Sequence, residues 1–137
     1  MAEAEIAAAV TDTHPLVYHA TGRSGLGRRA ARLFARCERR EAIVYVPAAV
    51  LWECSVLVRV GRVDFHRSLR AFFEDLFSNP AYQPYDLSEQ QVLAAHESVF
   101  TRDPFDGLIV AAARAAGLPL VTRDAEIAGS GSVDVLW

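Results

Sequence analysis

The sequence predicts an α/β fold of three layers, α/β/α, with a parallel sheet at its centre, and three observations carry that prediction. Short apolar runs alternate with longer amphipathic stretches along the chain, as strands joined by crossover helices do. The apolar fraction is 52% and the mean hydropathy +0.14, high values that suit a sheet covered on both faces or a surface that meets a partner. The length of 137 residues falls within the range of one domain able to bury its own core, so residues 1–137 are read as a single domain.

The elements follow in order. IAAAVTDT, residues 6–13, reads as a strand ending at Asp12, with a helix starting around His14 and Pro15, where proline suits a first turn. After the breaker TGRSGLG, the stretch up to residue 40 reads as a helix with Leu26, Ala30, Leu33, Phe34 and Cys37 inward and Arg28, Arg29, Arg32, Arg36, Arg39 and Arg40 outward. AIVYVP is a second strand, and AAVLWECSVLVRVG a helix stopped by Gly61. DFHRSLRAFFEDLFSNP is an amphipathic helix opened by Asp64 and closed before Pro80, with Leu69, Phe72, Phe73 and Leu76 as its apolar stripe.

YQPYDL reads as a short strand, and in SEQQVLAAHESVF Ser88 and Gln91 have the spacing of a capping box. Asp103 then caps a helix whose first residue is Pro104, with Phe105, Leu108, Ile109, Ala112 and Ala116 on its core side and Gly117 as its left-handed stop. LPLVT and SVDVLW supply the closing strands. No internal repeat or low-complexity segment is present.

Composition excludes several classes of function. The densest apolar stretch is broken by Pro47 and Glu53, so it is not a membrane span, and the opening MAEAEIAAAV carries acids where a secretory signal needs basic residues. A cytoplasmic protein is the expectation. Cys37 and Cys54 are too few for a disulfide framework or a zinc cage and read as small core residues. The net charge is only −3, yet every basic residue is an arginine, and half of them crowd into residues 23–40. That helix face is either simply solvated or a surface for phosphates or an acidic partner.

The acids point to chemistry. Ligands of a parallel sheet bind beyond the carboxyl ends of its strands, where Asp12 and Asp124 fall because each follows a short apolar run. Asp106 lies in the first turn of a helix starting at the same edge, and Glu53 in the middle of an apolar helix, where an unpaired carboxylate is costly. Each has an ordinary explanation: a cap for Asp103, the helix dipole for Asp106, turns for Asp12 and Asp124, an arginine partner for Glu53. One cluster explains the four together. Carboxylates so gathered repel unless a cation offsets them, and an all-oxygen set suits Mg2+, with Mn2+ as substitute. A hard dication with open positions activates water for phosphodiester hydrolysis.

The order TDTHPLVYH, LWECSVL and DPFDGLIVAAARAAGLPLVTRD resembles the PIN domain, specifically the VapC-type toxins of bacterial toxin–antitoxin pairs, over essentially the whole chain. The resemblance implies a sheet of about five strands, and a magnesium-dependent endoribonuclease whose catalytic acids fall on Asp12, Glu53, Asp106 and Asp124. Of these, Asp12, Asp106 and Asp124 would hold the metal, with Asp103 and Thr122 in support. It further implies a homodimer, an RNA substrate and an antitoxin partner, with Arg28, Arg29, Arg32, Arg36 and His14 as candidate contacts to RNA or protein. A PIN-like interaction module without catalysis is the alternative reading. A receiver-type magnesium switch is a weaker one, since the chain has no lysine and no adjacent acidic pair after its first strand.

Overall fold

A computed structural model describes residues 6–98 and 100–137. The segment 1–5, on which part of the no-leader reading rests, and Val99, at the end of the SEQQVLAAHESVF helix, lie outside the described residues. Five strands, β1 (Ala8–Thr11), β2 (Ile43–Pro47), β3 (Tyr82–Tyr85), β4 (Leu120–Val121) and β5 (Val135–Leu136), form one sheet in the order β3-β2-β1-β4-β5. Every neighbouring pair is parallel, with Ala9 opposite Val44 and Val10 opposite Leu120. The sheet is flanked by helices, as the α/β/α reading expects.

β1 is the middle strand, and the order reverses on either side of it: β2 and β3 to one side, β4 and β5 to the other. The carboxyl ends of β1 and β4 therefore flank the topological switch point, where a doubly wound sheet opens a crevice. Ala9, Val10, Val44, Val46, Leu120 and Val121 are buried on the strands, packed against Leu16, Phe34, Val50, Phe72 and Ile109 from the helices. Apolar burial on both sheet faces explains the high apolar fraction.

The helices are α1 (Thr13–Thr21), α2 (Arg28–Glu38), α3 (Ala48–Arg59), α4 (Leu69–Ser78), α5 (Glu89–Glu97), α6 (Pro104–Ala116) and α7 (Ala125–Ser130). α6 runs from the Asp103 cap, which accepts the N–H groups of Phe105 and Asp106, to Gly117 at φ 67°. It buries more than one stripe, because Val110, Ala111 and Ala113 are covered as well as Ile109 and Ala112.

Three local expectations change. α4 starts at Ser68, whose hydroxyl accepts the Ala71 N–H, while Asp64 instead accepts the His66 N–H in a preceding turn. Ser88 does cap α5, but the Gln91 side chain donates to Asp86 O, so only half of the reciprocal capping box forms. α7 is a short helix that the apolar pattern does not announce; Asp124 caps it and Gly131 ends it at φ 68°.

α2 begins without a side-chain cap. The carbonyl of Trp137 takes that place, accepting the N–H groups of Arg29 and Ala30 at 3.0 and 3.4 Å. A Cβ at Gly27 would stand 2.4 Å from the Trp137 carbonyl carbon, so glycine is required for this closure. α3, apolar on nearly every side, buries only Ala49, Val50 and Cys54, and leaves Trp52 51% exposed. Among the described residues no helix is long and apolar enough to cross a membrane.

Candidate functional site

β1 delivers Asp12 to the switch point. Asp12 is only 8% exposed and caps α1: its Oδ1 accepts the Thr13 N–H at 2.7 Å and its Oδ2 the Thr122 hydroxyl at 2.8 Å. Burial raises its pKa above the ordinary 3.8, against the Thr122 and Thr13 hydrogen bonds and the His14 charge, while Asp124 adds to the rise. Thr122, at the end of β4, also accepts the Asp124 N–H at 3.1 Å, so one hydroxyl ties the two strand ends together. Asp124 uses Oδ1 on the Glu126 and Ile127 N–H groups of α7.

Glu53 projects from α3 and is half-buried. Its expected arginine partner is absent from the described residues; the Thr13 hydroxyl donates to Glu53 Oε1 at 2.9 Å instead. Burial raises its pKa, the Thr13 bond opposes that, and Asp12 and Asp103 reinforce it. Asp106, in the first turn of α6, is the most perturbed carboxylate: burial, then Asp103, Asp12, Asp124 and Glu53 in turn, push it up to about 7. Asp12, Glu53 and Asp106 are thus each pushed up in part by other acids of the set.

A groove of about 460 Å³ opens between the β1–α1 and β4–α7 junctions, lined by Asp12, His14, Thr122, Arg123, Asp124 and Glu126 among others. Glu53, Asp103 and Asp106 do not line it, and among the described residues no three His, Cys, Asp or Glu side chains are drawn tightly enough to chelate an ion. The donor set nevertheless fits a hydrated hard dication. It is all carboxylate, neighbouring acids help to raise Asp12, Glu53 and Asp106, and Mg2+ keeps several waters while taking one or two carboxylates directly. Zinc or copper would ask for sulfur or imidazole ligands.

The other candidates are distributed unevenly. His14 is exposed on the groove wall, its ring edge-on to Tyr18 with centroids 6.3 Å apart. Arg28, Arg29 and Arg32 are exposed on α2. Arg36 is partly buried and engaged, donating to Ile6 O at 2.7 Å and Glu41 O at 3.1 Å, which ties α2 to the chain just before β1 and just before β2. Burial, then the charge of Glu53, push the Cys54 thiol up to about 12, an inert core group. Sequence reading missed Thr13, which joins Asp12 to Glu53, and Arg123 and Glu126 on the groove wall. Their sequence signal was adjacency to Asp12 and Asp124.

The model of the PIN domain family matches residues 9–129. Among solved structures, VapBC2 from Rickettsia felis bound to a promoter DNA fragment is similar at a TM-score of 0.65 and 14% identity, over 94% of this chain and 97% of that one. A toxin–antitoxin complex from Klebsiella pneumoniae is similar at 0.63 and 17%, over 94% and 96%. FitAB bound to a DNA fragment is similar at 0.53 and 19%, over 93% and 92%. No curated protein sequence matches the chain. The five-stranded parallel sheet, the acids at its switch point and the family match over most of the length agree: the chain belongs to the PIN domain family.

Proposed function

We propose that the chain works as one PIN domain, a metal-dependent endoribonuclease that hydrolyses RNA phosphodiester bonds and serves as the toxin of a toxin–antitoxin pair. The carrying observation is the gathering of Asp12, Glu53, Asp103 and Asp124 around Asp106, which burial first and then these neighbours push up to about 7. A fold does not maintain such repulsion for stability; a bound dication relieves it. The similarity to VapBC2 and to the toxin–antitoxin complex from Klebsiella pneumoniae supports the toxin role and an antitoxin partner.

Asp12, Asp106 and Asp124 would hold Mg2+ or Mn2+. The bound ion supplies a nucleophilic water at neutral pH and charge against the developing oxyanion. The chain's own residues do the positioning. Thr13 and Thr122 lock the Asp12 carboxylate from two sides, and the Thr13 hydroxyl aims Glu53. Asp106, pushed up to about 7 by burial and then by its acidic neighbours, would give up its proton as the ion binds. Arg28, Arg29 and Arg32 offer an exposed cationic face to RNA or the antitoxin. Homodimer formation and a cytoplasmic setting complete the proposal.

The lack of a preformed three-ligand chelate among the described residues favours a second reading, a PIN-fold interaction module that cuts nothing. Purified protein incubated with total RNA, with magnesium and with a chelator, separates the two. Magnesium-dependent cleavage that disappears in Asp12→Ala and Asp106→Ala proteins of unchanged fold supports the nuclease. Intact RNA under every divalent metal supports the module.

A further inference from the structure

Arg123 stands between Thr122 and Asp124, yet neither the acid cluster nor the core explains it. Its guanidinium lies 5.6 Å from the Tyr18 ring centroid and 5.8 Å from that of Trp137, and Nη2 donates to the Tyr18 hydroxyl at 3.1 Å. Tyr18 is only 9% exposed, and Trp137 is half-buried against the core, its carbonyl bonded to the start of α2. Asp12, Asp124 and Glu126 line the same groove, but among the described residues Arg123 forms no ion pair with any carboxylate. An arginine steadied by aromatic faces keeps its positive charge and most of its five donors for a ligand.

We propose that Arg123, clamped by Tyr18 and Trp137, is the phosphate-binding residue of the groove, meeting the backbone of a single RNA strand beside the acids. The inference rests on the nuclease reading for the identity of the strand. A groove walled by carboxylates repels a polyanion, so a strand enters where a fixed cation offsets that field. Arg123 is that cation, and the clamp removes the ordering cost a flexible arginine would add. Arg23, 5.2 Å from the centroid of the same Tyr18 ring, continues the positive track away from the acids. A guanidinium fork fits phosphate oxygens in a way an ammonium does not.

The test uses the full chain and a fluorescently labelled single-stranded RNA oligonucleotide across a salt series. Binding is followed in an Asp106→Asn background and cleavage in the otherwise native protein. Arg123→Gln should raise KM about tenfold, the loss of one charge-assisted contact, with kcat much less affected. It should also reduce the slope of log affinity against log salt by about 0.7, the share of one phosphate on a single strand. Arg123→Lys should restore the slope and only part of the affinity. Tyr18→Phe, which removes only the hydroxyl that steadies the guanidinium, should bind more weakly at unchanged slope.

Native KM and slope in Arg123→Gln overturn the proposal. If that variant does not fold, native binding in both Arg123→Lys and Tyr18→Phe overturns it equally. Cleavage with Arg123-independent binding sinks this proposal and leaves the nuclease reading standing. Arg123-dependent RNA binding without any cleavage does the reverse. Loss of acidic-peptide binding in Arg123→Gln, with RNA binding unchanged, also overturns it.

Discussion

Two polar clusters lie at opposite edges of the sheet, and the fold treats them in opposite ways. At the amino edge, where β3 begins, Glu38 accepts the Tyr82 hydroxyl at 2.8 Å and meets His19 Nε2 at 2.7 Å, with the His19 ring stacked on Phe34. Burial pushes Glu38 up, but the His19 and Tyr82 hydrogen bonds and the His19 charge bring it below its ordinary 4.5. At the carboxyl edge the acids meet one another; the Thr13 and Thr122 hydroxyls, the Thr13 N–H and the His14 charge offset them only in part. Burial and the neighbouring carboxylates push Asp106 up to about 7. One cluster is complete within the chain, whereas the other is complete only with something cationic added. Charge compensation inside the fold marks structure, and its lack marks a site.

The largest test of that contrast exchanges an acid at the carboxyl edge. Asp12→Asn keeps one acceptor, for the Thr13 N–H, and turns its amide to donate to Thr122 Oγ1; it removes a metal-binding charge, so RNA cleavage should fall by more than about a hundredfold. The metal-free melting temperature should hold or rise. Next in size is Thr122→Val, which frees Asp12 Oδ2 and the Asp124 N–H: a loss of about tenfold to a hundredfold in activity, as for other residues that orient a metal ligand. Cleavage rates under single-turnover conditions check both.

At the amino edge Tyr82→Phe should do the converse, costing about 1 kcal/mol of stability in urea titration, the worth of one hydrogen bond, with native cleavage. The smallest effect is a pH slope. A carboxyl raised from 3.8 to about 7 stabilises the fold at low pH and loses that contribution as pH climbs through this window. Glu38, shifted down, contributes stability above its ordinary value and loses it only in stronger acid. The metal-free protein should therefore melt higher at pH 5.5 than at pH 7.5, and Asp106→Asn should flatten that difference.

Much of this frame was legible in the residues, and the reasons are local. Asp103, Pro104 and Gly117 mark both ends of α6 because caps and left-handed stops are decided within one turn. The parallel sheet follows from alternation, and Asp12 and Asp124 from their places after apolar runs. What escaped reading depends on distant partners or short elements. Asp64 and Ser68 are both credible helix starts, and only Ser68 has an amide three residues on to accept. α7, six residues long, is too short to show a period. Thr13 meets Glu53 across 40 positions and Arg123 meets Tyr18 across 105; neither pair leaves a trace in linear spacing. α3 reads as a buried helix, but its apolar surface exceeds what the sheet and α6 cover.

The contrast between the two edges reduces to one measurement: the melting temperature of metal-free protein with and without millimolar magnesium, for the native chain and for Asp106→Asn. Ligand binding to the folded state raises stability by mass action, so the native chain should gain about 3 °C or more for a domain of this size. Asp106→Asn should gain clearly less. A native protein whose melting ignores magnesium would contradict the account.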